Sequence, residues 1–177
     1  MRKVISLVLL GSLLIASNGT ARAQALTVVA LGASNTEGMG RGRTNMGVPR
    51  EQAYPAQLER LLRARGVNAR VINAGATGDT TGGMLARLDS SVPNGTSLLI
   101  LQPGGNDARR GVGGNEQANV AEIKRRMQAR NIPVLMLHPF GAGIGQYRLA
   151  DGQHFSAEGH AAVAGRLLPQ VLRGMGR

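Results

Sequence analysis

The chain of 177 residues contains no cysteine, which excludes a disulfide framework and a thiolate metal site and leaves stability to packing. Its 21 Lys and Arg against 10 Asp and Glu give a formal charge of +11, a balance that would suit nucleic acid or an anionic membrane surface. Two Tyr and two Phe are few for base stacking, and the basic side chains are mostly Arg spread over helical stretches, so solvated helix faces are expected and a nucleic-acid partner is not.

Residues 1–23 have the anatomy of a secretory signal: Arg2 and Lys3, an apolar run from Val4 to Ile15, then Ala21-Arg22-Ala23. Cleavage is expected before Gln24, and export to the periplasm or beyond the cell follows. The apolar run is 12 residues, well short of the ~18 needed to span a bilayer, so no transmembrane segment is expected after cleavage. Residues 24–177 then form a single domain, large enough for a full core.

Residues 26–31, 69–72, 97–101 and 132–137 are short runs rich in Val, Ile and Leu without sustained polar alternation, the pattern of strands covered on both faces. Between them lie helical stretches. The first buries Tyr54, Leu58, Leu61 and Leu62, tolerates Pro55 in its opening turn, pairs Glu59 with Arg63 and stops at Gly66. Others are expected over residues 80–88, 115–130 and 157–172, the last capped by Ser156 and kinked or ended early by Pro169. Alternating strands and helices imply a parallel sheet with helices on both faces. Two Gly-rich stretches, 38–48 and 140–149, read as loops.

Three short motifs each follow a strand-like apolar run or lie in a Gly-rich loop: Gly32-Ala33-Ser34-Asn35, Gly104-Gly105-Asn106-Asp107 and Asp151-Gly152-Gln153-His154. A serine needs a base to take its proton, and the base needs a third group to fix its tautomer. Ser34, His154 and Asp151 suit those three roles. The spacing of Asp151 and His154 lets one turn of chain bring carboxylate to imidazole. Asn106 offers a side-chain amide to an oxyanion. Taken singly, Ser34 also suits a helix cap, Asn106 an Asx turn and Asp151-x-x-His154 a surface turn. Gly75, after the second strand, could present a further backbone N–H, although its segment also reads as an ordinary loop capped by Asp79 or Thr80. His138 and His160 read as structural, and no His, Asp or Glu cluster has metal-ligand spacing.

The pattern resembles the SGNH hydrolases, also called GDSL-type esterases and lipases, with the four family letters on Ser34, Gly75, Asn106 and His154. Tyr54-Pro55-Ala56-Gln57-Leu58, Asn73-Ala74-Gly75, Leu85-Ala86-Arg87-Leu88 and Gly159-His160 extend the likeness over most of residues 24–177. It is nearest to the small exported thioesterase and lysophospholipase-like branch. The resemblance implies a flavodoxin-like α/β/α sandwich that hydrolyses acyl esters or thioesters of small molecules or lipids without metal or organic cofactor. It implies Ser34 as nucleophile, His154 as base, Asp151 as its orienting acid, and an oxyanion hole from the Ser34 and Gly75 N–H groups and the Asn106 side chain.

Three features depart from that family. Ala33 replaces the usual Asp before the serine, removing a loop-organising carboxylate. Phe155-Ser156 replaces the usual Pro-Asn after the histidine, which predicts a looser hold on His154. Only 12 residues separate His138 from Asp151, which predicts a four-stranded sheet, an open acyl site and a preference for short chains. Two alternatives remain: a carbohydrate O-acetylesterase, and a weakly catalytic sandwich that binds an envelope glycan, a lipid or an anionic envelope surface through its arginines.

Overall fold

The computed structural model describes residues 25–38, 47–137 and 144–176. The signal-like segment 1–23, most of the 38–48 loop, His138 and the start of the 140–149 loop lie outside the described residues.

Four parallel strands, β1 (Leu26–Gly32), β2 (Ala69–Gly75), β3 (Thr96–Leu101) and β4 (Val134–Met136), form one sheet in the order β2-β1-β3-β4. The four-stranded expectation holds, although β2 runs three residues further than its apolar run. Val28, Val29, Ala30 and Leu31 are wholly buried, because β1 is central and both of its faces carry helices. On one face Val28, Ala30, Leu98 and Ile100 pack under α2 (Tyr54–Ala64) and α7 (Ala157–Gly174). On the other, Val29, Leu31, Leu99 and Leu101 pack under α3 (Thr81–Ala86), α4 (Leu88–Ser91) and α6 (Glu116–Ala129). Two four-residue helices, α1 (Ser34–Glu37) and α5 (Asn106–Arg109), stand at the carboxyl ends of β1 and β3.

Strand order reverses between β1 and β3, and crevices for ligands open at the carboxyl ends of such strands. Ser34 and Asn106 are therefore placed on the two sides of the switch point by topology alone.

The helices differ from their sequence outlines in two places. The stretch expected as one helix over 80–88 divides at Arg87, whose guanidinium is drawn to Asp79 Oδ2 at 2.8 Å and the Gly32 carbonyl at 3.1 Å. Pro169 does not end α7, which continues to Gly174. Val163, Leu167, Leu168 and Val171 are buried on both sides of the proline, and that packing outweighs its cost of about 3 kcal/mol.

Strand β2 is an open edge, and α2 closes part of it. Glu59 accepts from the Val71 N–H at 2.7 Å and pairs with Arg63 at 2.7 Å, while Arg63 donates to the Ala69 carbonyl at 3.2 Å. The Glu59/Arg63 pair thus occupies backbone groups that would otherwise offer themselves to another strand.

Candidate active site

Ser34 opens α1 directly after β1. Ala33, not Ser34, is the cap residue, and no side chain caps this helix. The Ser34 N–H has no partner among the described residues, as expected in a first helical turn. What holds α1 is a buried polar network: Gln102 Oε1 accepts from the Ala33 N–H at 3.4 Å and the Thr36 hydroxyl at 3.1 Å, and Thr36 lies 3.2 Å from the Tyr54 hydroxyl. Burial keeps the Tyr54 phenol protonated, well above its ordinary range. Glu37 ties the next loop in, accepting from the Thr77 N–H at 2.7 Å and hydroxyl at 2.6 Å. Gln102 and Glu37 thereby supply organising acceptors around a motif that has Ala33 where a carboxylate is usual.

His154 Nε2 lies 2.8 Å from Ser34 Oγ, and His154 Nδ1 lies 2.5 Å from Asp151 Oδ2. The other oxygen, Asp151 Oδ1, accepts from the Gln153 and His154 N–H groups, each at 2.9 Å. Burial opposes ionisation of Asp151, but the His154 ring and these two amides outweigh it and hold the carboxyl at about 2. Ser34, His154 and Asp151 form one hydrogen-bonded line, the arrangement in which an imidazole removes a serine proton as the oxygen attacks.

The loop carrying His154 is tightly tied, contrary to the looser hold expected from Phe155-Ser156. The Gln153 carbonyl accepts from Asn35 Nδ2 at 3.1 Å and from Arg148 Nη1 at 2.9 Å. Arg148 also donates to the Gly152 carbonyl at 3.1 Å, and its guanidinium lies 4.9 Å over the Phe155 ring. Leu149 donates to the His154 carbonyl at 2.7 Å, and Arg148 bridges to Phe155 as an isolated antiparallel pair.

On the opposite side of the switch point, Asn106 Nδ2 donates to the Asp79 carbonyl at 2.7 Å, and its Oδ1 accepts from Arg109 Nη2 at 2.7 Å. These partners fix the amide's orientation and leave one N–H without an assigned acceptor. Its neighbour Asp107 is wholly buried and accepts from the Thr81 N–H and hydroxyl, anchoring α5 to the start of α3.

Gly75 does not fit the oxyanion role expected of it. It is the last residue of β2, opposite Gly32, and its N–H donates to Asn73 Oδ1 at 3.0 Å. A Cβ there would collide with the Glu37 backbone, so glycine is needed for α1 to lie against β2. Three residues on, Gly78 has φ 78° and an N–H with no partner among the described residues. That backbone conformation is invisible in the sequence; only the pairing of Gly78 with Asp79, whose carbonyl holds Asn106, could have drawn attention to it.

Ser34 and His154 open onto a cavity of about 410 Å³ that Gln102, Arg109, Glu116 and Arg148 also line. None of these four stands in a motif that singles it out. Among its described lining residues only Pro103 and Leu137 are apolar apart from two glycines. Among the described residues no group of three or more His, Asp or Glu side chains could hold a metal ion. His160 belongs to the fold: it is buried, and its Nδ1 accepts from the Tyr54 N–H at 3.2 Å at the start of α2.

Comparison with known proteins gives the same picture. Over 94 residues the chain is 34% identical to esterase TesA of Pseudomonas aeruginosa, a match covering 52% of this chain and 47% of that protein. It is 38% identical to an arylesterase of Vibrio mimicus over 65 residues, 36% of this chain and 32% of that one. Matched regions thus span half or less of these relatives. Among solved structures, a crystal structure of TesA superposes with a TM-score of 0.72 at 24% identity, covering 84% of this chain and 99% of that one. The SGNH-hydrolase family esterase AlinE4 gives 0.55 at 29%, covering 86% and 74%. The family model described as GDSL-like lipase/acylhydrolase matches residues 30–151, and the chain belongs to that family.

Proposed function

We propose that the protein is an exported serine hydrolase that cleaves carboxylic esters of short acyl groups. The observation that carries this reading is the hydrogen-bonded line from Ser34 through His154 to Asp151, at 2.8 and 2.5 Å, opening onto a cavity at the sheet's switch point. Ser34 Oγ attacks the acyl carbonyl while His154 Nε2 takes its proton. The tetrahedral oxyanion meets the Ser34 N–H, the remaining Asn106 N–H and, in place of Gly75, the unpartnered N–H of Gly78. His154 returns the proton to the leaving alcohol, and a water deprotonated by the same nitrogen hydrolyses the acyl-serine. Throughout, Asp151 stays ionised and holds the imidazole.

The polar lining supports short chains over long ones, since a fatty tail would find little apolar wall among the described residues. It equally supports a carbohydrate O-acetylesterase, whose acyl group is small and whose alcohol is polar. No helix among the described residues is long and apolar enough to cross a membrane, and the signal-like start supports export.

A p-nitrophenyl ester series tests this reading. Acetate and butyrate should be cleaved fastest, and Ser34→Ala should lower turnover by at least about 10³-fold with folding retained. A maximum at long acyl chains would refute the preference, and undiminished hydrolysis by purified Ser34→Ala would refute the nucleophile.

A further inference from the structure

Five arginines elsewhere in the molecule find carboxylates, Arg63 at Glu59, Arg87 at Asp79, Arg125 and Arg126 at Glu122 and Arg130 at Asp89, while others on the outer surface, such as Arg50 and Arg60, donate only to amide or carbonyl oxygens. The two that line the cavity beside Ser34 find no carboxylate either. Arg109, at the end of α5, and Arg148, before the His154 loop, reach it from different elements, and neither has a carboxylate partner among the described residues.

Both are nevertheless held. Arg109 Nη2 donates to Asn106 Oδ1 at 2.7 Å, while Arg148 is fixed by two carbonyls and the Phe155 ring. A guanidinium has five N–H donors, so each keeps several for a ligand, and its anchoring lowers the entropy lost when one binds. Asp151 is committed to His154. Glu116 is the one carboxylate among the described lining residues, and two guanidiniums outweigh it.

We propose that this cavity recognises an anionic group, carboxylate or phosphate, carried by the ester substrate, with Arg109 and Arg148 as its binding residues. The proposal rests on the ester-hydrolase reading and adds to it the charge of the substrate. A planar guanidinium matches either anion through paired N–H donors. The excess of basic residues over the whole chain would also raise the encounter rate of such a substrate at low salt.

Three acetate esters separate the outcomes: 4-acetoxybenzoate, 4-acetoxyphenyl phosphate and the neutral methyl 4-acetoxybenzoate. kcat/KM is measured for each with the wild-type protein, Arg109→Gln and Arg148→Gln, at low salt and in 0.5 M NaCl as a roughly Debye-screened condition. The proposal expects each variant to lose about tenfold or more on an anionic ester beyond its loss on the neutral one, and salt to reduce only the anionic rates. The anion showing the larger loss identifies carboxylate or phosphate recognition. Equal proportional losses on neutral and anionic esters in both variants would mean that the arginines only position Asn106 and the His154 loop, and would overturn the proposal. Failure of the wild-type protein to cleave any of the three would instead overturn the hydrolase reading beneath it.

Discussion

In the proposed mechanism Asn106 combines two functions in a single amide. One N–H and the oxygen are used to fix its orientation, through Asp79 and Arg109, and the second N–H is left for the developing oxyanion. Asn106→Ala should therefore lower kcat by about 10²- to 10³-fold with little change in KM, because the lost hydrogen bond strengthens only as charge develops. Steady-state kinetics on p-nitrophenyl acetate checks this, and a rise in KM alone would assign Asn106 to substrate binding. At this scale the sequence was informative where a side chain belongs to a recognisable short motif: Ser34, Asp151 and His154 are of the types that the proposed chemistry needs, and they meet in one hydrogen-bonded line. Gly75 is different. A glycine's contribution is its backbone, and whether that N–H points into a site or to Asn73 Oδ1 depends on where β2 ends.

Between elements, the contact that matters most is the shared Gln153 carbonyl. Asn35 on α1 and Arg148, before the His154 loop, both donate to it, which couples the helix that carries Ser34 to the peptide preceding His154. Asn35→Ala should cut kcat by about tenfold to a hundredfold, since a small misplacement of a base is costly. The loss of one partly exposed hydrogen bond should lower Tm by only a few degrees. A fall in Tm without a change in kcat, measured by thermal melts alongside turnover, would reduce Asn35 to a structural contact. The strands were legible because a central parallel strand is apolar on both faces, as Val28 to Leu31 show. The early end expected at Pro169 did not occur, because local propensity carries no knowledge of the buried stripe that spans it. The tie from Asn35 to the His154 loop was illegible for a related reason, since it joins residues 118 positions apart, and the local ties depend on where Arg148 turns its guanidinium, which no short motif records.

For the whole molecule, the pH dependence of stability turns on His160. Burial, helped by the positive charge His154 can carry, lowers this imidazole from 6.5 to about 4, and its neutral Nδ1 receives the first amide of α2. The folded-state value is depressed, so the unfolded chain binds the proton more readily. Stability is then whole above about pH 6.5 and is lost as pH falls toward 4, about 3 kcal/mol in all and about 2 kcal/mol by pH 5. Asp151, held at about 2, contributes stability that is whole above the ordinary carboxylate range and is lost only as pH falls below it, outside this window. Urea unfolding at pH 7 and pH 5 should show the loss in the wild-type protein and a smaller one in His160→Gln, itself less stable at pH 7. Equal losses in both would place the titration elsewhere. The four-strand sheet was legible in the apolar runs and the short segment before Asp151, whereas the order of the strands, and with it the side of the switch point on which Ser34 and Asn106 fall, is a tertiary property that alternation of strands and helices does not specify.

In the proposed mechanism Ser34 is nucleophilic because His154 takes its proton. A fluorophosphonate probe followed by peptide mass spectrometry tests it without assuming any substrate. A single modified serine, Ser34, is expected, with labelling abolished in His154→Ala and in Ser34→Ala. A folded protein that resists the probe, or one labelled at another serine or equally well without His154, would contradict it.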